Sequence, residues 1–126
     1  MSQDIEQTLD QARTLLQTGK SDAARMLLLE MLKKDPNNQA ALLMLGGSYF
    51  GSEKYQEAEM VFERLVLMDQ GRGEFSIALF NTLWKQGRSD EALEEIKRFM
   101  LTADKVKEQA TIEQYTSIIK NMASNA

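Results

Sequence analysis

Two acidic pairs, Asp90-Glu91 and Glu94-Glu95, and the triplet Gly71-Arg72-Gly73 are the places in this 126-residue chain where residue types could do chemistry. Paired carboxylates can share general-acid and general-base work, but these read as the solvated side of a helix, with no nucleophile set beside a base. The glycine triplet could wrap a phosphate, yet no strand precedes it and the longer phosphate-loop motif is missing, so it reads as a turn. Cysteine and histidine are absent, which removes thiolate nucleophiles, disulfides, thiolate metal sites and imidazole bases. Neither an enzyme nor a cofactor or metal is expected. Fifteen basic residues against nineteen acidic ones give a net charge of −4 with no basic block, so nucleic acid is not an expected partner. The opening Met1-Ser2-Gln3-Asp4-Ile5-Glu6 lacks the basic-then-apolar order of a signal peptide, and no apolar run reaches the roughly 20 residues of a membrane span. Membrane insertion is therefore not expected and a cytoplasmic location is. What remains is apolar chemistry, with a single tryptophan, Trp84, as its most potent element: this residue type often dominates an interface, commonly by about 2 kcal/mol or more.

Those apolar residues are positioned by a repeat. Ala24, Ala58 and Ala92 stand 34 residues apart, and the same interval relates Leu28, Phe62 and Ile96, then Met31, Leu65 and Phe99. Each unit reads as two helices around a tight turn. In the first, Ile5, Leu9, Ala12, Leu15 and Leu16 form an apolar face, Gly19-Lys20 breaks it, and Ser21 is expected to cap a helix over about 22–34. Asp35-Pro36-Asn37-Asn38 restarts the chain, because proline cannot continue a helix. Helix three runs to about Gly51, and its partner from near Tyr55 to Asp69 carries Ala58, Val61, Phe62, Leu65 and Val66. The third unit has Phe75, Leu79, Leu83 and Trp84 before Gly87, then Ser89 as the expected cap for Ala92, Leu93, Ile96, Phe99 and Met100. A seventh helix over about 104–123 sets Val106, Ile112, Tyr115, Ile118, Ile119 and Met122 opposite Lys105, Lys107, Glu108, Glu113 and Lys120, and should cap the stack. The expectation is one all-α domain over 1–126, with units at about 5–38, 39–72 and 73–104.

These units resemble the tetratricopeptide repeat, whose 34-residue pattern places leucine-glycine, aromatic and alanine residues at fixed positions. Leu42, Leu45-Gly46, Tyr49, Ala58 and Phe62 of the middle unit fit it well, and Pro36 closes the unit before. In the outer units Thr8 and Ser76 replace the first aromatic, and Ala12 and Phe80 the glycine. A small residue at that place lets paired helices approach, as Gly46 can against Ala58; Phe80 facing Ala92 should splay the third pair or turn aside.

The resemblance implies a right-handed α-solenoid in which the first helix of each pair lines a concave groove. Carried over by position, the candidate groove residues are Leu9, Arg13 and Leu16, then Leu43, Gly47 and Phe50, then Ile77, Asn81, Trp84 and Lys85. An apolar floor with donors at its edges would take a peptide with apolar anchors, extended or helical, so the implied role is a protein-binding adaptor or chaperone-like module. For these same apolar residues, packing between neighbouring helices is the competing reading. Gly47 is a candidate for close ligand approach; Met44 lies beside the groove, whereas Met26, Met31, Met60 and Met100 are expected to fill the core. Relatives that clamp acidic chaperone tails carry amide and basic donors where this chain has Leu9, Arg13, Met44, Glu74 and Ala78, so that clamp is not expected here. Around Leu67-Met68-Asp69 and Phe75 the chain also resembles the small three-repeat chaperones of type III secretion translocators. A self-assembling scaffold, in which the third pair or the last helix docks on another copy, stays open as well.

Overall fold

The computed structural model describes residues 2–124, with Ser2 and Gln3 by their backbone. All regular structure among the described residues is helical: α1 Ser2–Gln17, α2 Ser21–Lys34, α3 Gln39–Gly51, α4 Tyr55–Met68, α5 Gly73–Lys85, α6 Ser89–Thr102 and α7 Gln109–Ser124. The chain forms two compact units, 1–65 and 66–126, with the boundary inside α4.

One turn, repeated at the 34-residue interval, makes the helix pairs. Gly19, Glu53 and Gly87 all have positive φ, at 79°, 61° and 76°. Behind each, the next residue's N–H reaches back over the turn: Lys20 to Leu15 O at 2.8 Å, Lys54 to Tyr49 O at 2.8 Å and Arg88 to Leu83 O at 3.1 Å. This left-handed closure suits glycine, and a side chain there costs about 1–2 kcal/mol, so Glu53 holds a strained place that its neighbours enforce. The turn is tight enough to correct two expected caps. Lys20 and Arg88 occupy the N-cap positions of α2 and α6, and neither helix end has a side-chain cap bond. Ser21 and Ser89 fall one residue inside the helix, where a hydroxyl no longer meets the free amides. Asn38, by contrast, caps α3, its Oδ1 accepting from the Ala41 N–H at 2.9 Å.

In the first unit, Leu9, Ala12, Leu28, Met31, Ala41 and Leu45 form one buried cluster. Alanines recur where helices cross: Ala12, Ala24, Ala41 and Ala58 are fully inaccessible. Gly46 serves the same end, although its partner is Phe62 and not Ala58: a methyl at 46 would overlap the Phe62 ring. A buried arginine ties α2 to the end of α3. The Arg25 guanidinium donates to Ser48 Oγ at 2.8 Å and Ser52 Oγ at 3.1 Å, pairs with Asp22, and lies 5.3 Å from the Tyr49 ring centroid.

In the second unit, Phe75, Ile96, Phe99 and Tyr115 are the largest inaccessible apolar side chains. Gly71 and Gly73, expected as a plain turn, are places of close approach: a Cβ on Gly71 would meet the Thr102 carbonyl, and one on Gly73 the Thr111 side chain. The last helix starts later than expected, at Gln109, because residues 105–108 are a turn held by Asp104, whose Oδ1 accepts from the N–H groups of Val106 and Lys107, both at 2.9 Å. Those two bonds also hold the Asp104 carboxyl below its ordinary value. Val106 consequently leaves the apolar face of α7 and is 83% exposed. Glu108, expected on the polar side, reaches back to accept from the Gly73 N–H at 2.9 Å and satisfies the start of α5.

Candidate functional site

Helical spacing puts Ile77, Asn81 and Trp84 on one side of α5, with Lys85 adjoining. Ile77 is half-buried, Asn81 and Lys85 are exposed, and Trp84 is 45% exposed. Aromatic neighbours within the second unit hold that indole. Trp84 stacks on Phe80 at 5.8 Å between centroids and 19° between planes. Phe80 meets Tyr115 at 5.5 Å, and Tyr115 in turn presents an edge contact to Phe99 at 5.6 Å. Phe80 therefore turns aside onto α7 instead of splaying its helix pair: α5 and α6 remain closely packed and Ala92 is inaccessible. The ladder of rings backs an indole that is still half-exposed.

A polar junction lies under the ladder. Ser76 stands where the repeat pattern calls for an aromatic, and it is fully buried. Its hydroxyl donates to Glu95 Oε2 at 2.6 Å and so must accept from the Tyr115 hydroxyl, 2.7 Å away, since a carboxylate can only accept. Glu95 also takes two bonds from Arg98, at 2.8 and 2.6 Å. Burial pushes the Tyr115 hydroxyl above its ordinary value of 10.0. Glu95, read from the sequence as part of a solvated face, is thus 6% exposed and structural. The signal for it was Ser76 at an aromatic position: a buried polar residue demands a partner.

In the first unit, Leu43, Gly47 and Phe50 share one side of α3 at the same spacing. Leu43 and Phe50 are half-buried, and Phe50 meets Tyr55 edge-on at 5.3 Å. Gly47 and Gly51 face open space, with nothing within 4 Å of an added Cβ. On α1 the candidates divide. Arg13 is exposed and paired with Asp10 at 2.7 Å, and Leu16 is half-buried. Leu9 is 6% exposed and belongs to the core cluster, so its side chain is not offered to a guest. Two methionines also depart from expectation: Met26 and Met60 are 73% exposed, whereas Met31 is buried.

The tetratricopeptide-repeat family pattern matches residues 9–74, over half of the chain, and the chain belongs to that family. No curated protein sequence matches it. Among solved structures it is similar to a MamA variant, at a TM-score of 0.69 and 22% identity over 80% of this chain and 74% of that one. A Thermobaculum terrenum O-GlcNAc transferase variant is similar at 0.69 and 22% identity, over 80% of this chain but 19% of the transferase. The first such domain of Spaghetti (RPAP3), bound to an HSP90 peptide, is similar at 0.75 and 16% identity, over 97% and 98% of the two chains. At these identities the likeness is one of fold. No helix among the described residues is long and apolar enough to cross a membrane.

Proposed function

We propose that this protein is a non-catalytic interaction module, an adaptor or chaperone-like unit of the cytoplasm, which binds a partner protein through a peptide segment carrying apolar anchors. The observation that carries this reading is the half-exposed, ring-backed Trp84 on α5, flanked by Ile77, Asn81 and Lys85. A large apolar group offered to water and already held in place loses little entropy on binding. The stripe of Leu43, Gly47 and Phe50 on α3 supports a second contact of the same kind, with room at Gly47 for an approaching backbone. The peptide in the RPAP3 neighbour comes from HSP90. For this chain an apolar guest is the better reading, because Leu9, Met44 and Ala78 stand where relatives that clamp acidic tails carry donors.

The test uses tagged protein to capture partners from source lysate, with Trp84→Ala and the exposed-leucine control Leu101→Ala alongside. Loss of the same partners with Trp84→Ala alone is expected, corresponding to about 2 kcal/mol or roughly thirtyfold in affinity. Unchanged recovery by a variant whose circular dichroism is intact would remove the proposal.

A further inference from the structure

The outer side of the first hairpin carries a trough separate from the stripes above. Two adjoining hollows of about 580 and 460 Å³ run along the seam of α1 and α2 and share Leu27. Ile5, Leu27, Met31 and Leu15 supply the apolar floor, with Thr8 between. The Thr8 hydroxyl is already satisfied by the Asp4 carbonyl at 2.7 Å, so it asks nothing of an occupant. From Asp4 to Leu15 the trough follows α1 for eleven residues, about 16 Å at 1.5 Å per residue, or three helical turns.

The repeat itself says what shape belongs there. One interval on, Thr8, Gln11, Leu27 and Met31 correspond to Leu42, Leu45, Val61 and Leu65. Leu42, Leu45 and Leu65 are 3%, 4% and 0% exposed, and α3 packs against both α1 and α2. The same face of the second hairpin is thus roofed by helices. Among the described residues nothing roofs it on the first. Charge then selects the occupant. Among the described residues, Asp4, Asp10, Glu30 and Asp35 line the trough against Lys34 alone. Asp10 and Glu30 have partners in Arg13 and Lys33, but both pairs are exposed and weakly held.

We infer that this trough is a second protein-binding site, which takes an amphipathic helix of about three turns from a partner protein, with an apolar ridge flanked by lysine or arginine. Thr8 and Gln11 at positions that are leucine in the next repeat keep the face soluble when empty, so the association is reversible.

Two labelled 14-residue helical peptides with the same leucine ridge, one flanked by lysine and the other by glutamate, are titrated into the full chain by fluorescence anisotropy. The lysine-flanked peptide is expected to bind at least about tenfold more tightly, with a preference that shrinks as salt rises. Asp4→Lys with Glu30→Lys, two exposed positions whose exchange leaves the fold intact, should abolish that preference. Asp90→Lys with Glu94→Lys on α6 should leave it unchanged, as should Trp84→Ala. Equal affinity for the two peptides, no binding, or loss of binding with the α6 pair or with Trp84→Ala would each overturn the inference. Loss with Trp84→Ala in particular would move the peptide to the α5 stripe.

Discussion

The second and third repeats solve one packing problem in opposite ways. In the second, the helix crossing is made by deletion: Gly46 removes a side chain and the Phe62 ring fills the space. In the third, Phe80 stands at the glycine position and Ile96 at the phenylalanine position, so the bulk has changed sides. Phe80 then has to find a place, and it finds one against Tyr115 of α7, while Ser76, Glu95 and Arg98 build a buried polar junction on the same tyrosine. A degenerate repeat is therefore not a loosely packed one. The third hairpin has given up self-sufficiency, and α7 supplies the missing aromatic from outside the repeat.

The sharpest way to break this comparison is Glu95→Ala. It should cost about 3 kcal/mol, because Arg98 and Ser76 lose their common acceptor in a buried site, and with it the bond that orients Ser76 toward Tyr115. Urea unfolding would measure it, and a loss below about 1 kcal/mol would mean that the junction is not what holds α7. Next comes a contrast between adjacent glycines. Gly46→Ala should destabilise by about 2 kcal/mol, since Phe62 is 3% exposed and has nowhere to go. Gly47→Ala, with open space around it, should instead stabilise by about 0.5–1 kcal/mol through helix propensity. Equal effects at the two sites would undo the account of the second repeat. A comparable effect, about 1 kcal/mol near neutral pH, is expected of Tyr115→Phe. Its signature lies in alkali. The Tyr115 hydroxyl ionises above its ordinary value of 10.0 in the folded chain, so its stabilising contribution is complete below that pH and declines as pH rises beyond it, where the unfolded chain ionises first. Thermal melts from pH 8 to 11 should show a steeper decline for the wild type than for Tyr115→Phe.

Much of this was legible before any coordinates. The helix order followed from the 34-residue interval, the helix boundaries from Gly19, Pro36 and Gly87, and the exposure of Trp84 from its place on α5. The misreadings share a cause. Ser21 and Ser89 looked like caps, but the left-handed turn at Gly19 and Gly87 placed Lys20 and Arg88 there. Leu9 matched a groove position, yet it packs into the core cluster with Leu28 and Met31 of α2 and Ala41 and Leu45 of α3. Glu95 looked like surface because helical periodicity gives each residue an angle and is silent about which neighbouring helix occupies that angle.

The sequence by itself determined that the chain is a tetratricopeptide repeat, that it carries no thiol or imidazole chemistry, and that its helices carry apolar faces at helical spacing. Those properties are local and periodic, so they survive without knowledge of packing. Tertiary structure alone decided where Phe80 goes, why Ser76 and Glu95 are buried, and why a trough opens on the first hairpin. Each depends on a contact between residues far apart in the chain, and only the volume and hydrogen-bonding demands of the packed interior choose among the partners that periodicity allows.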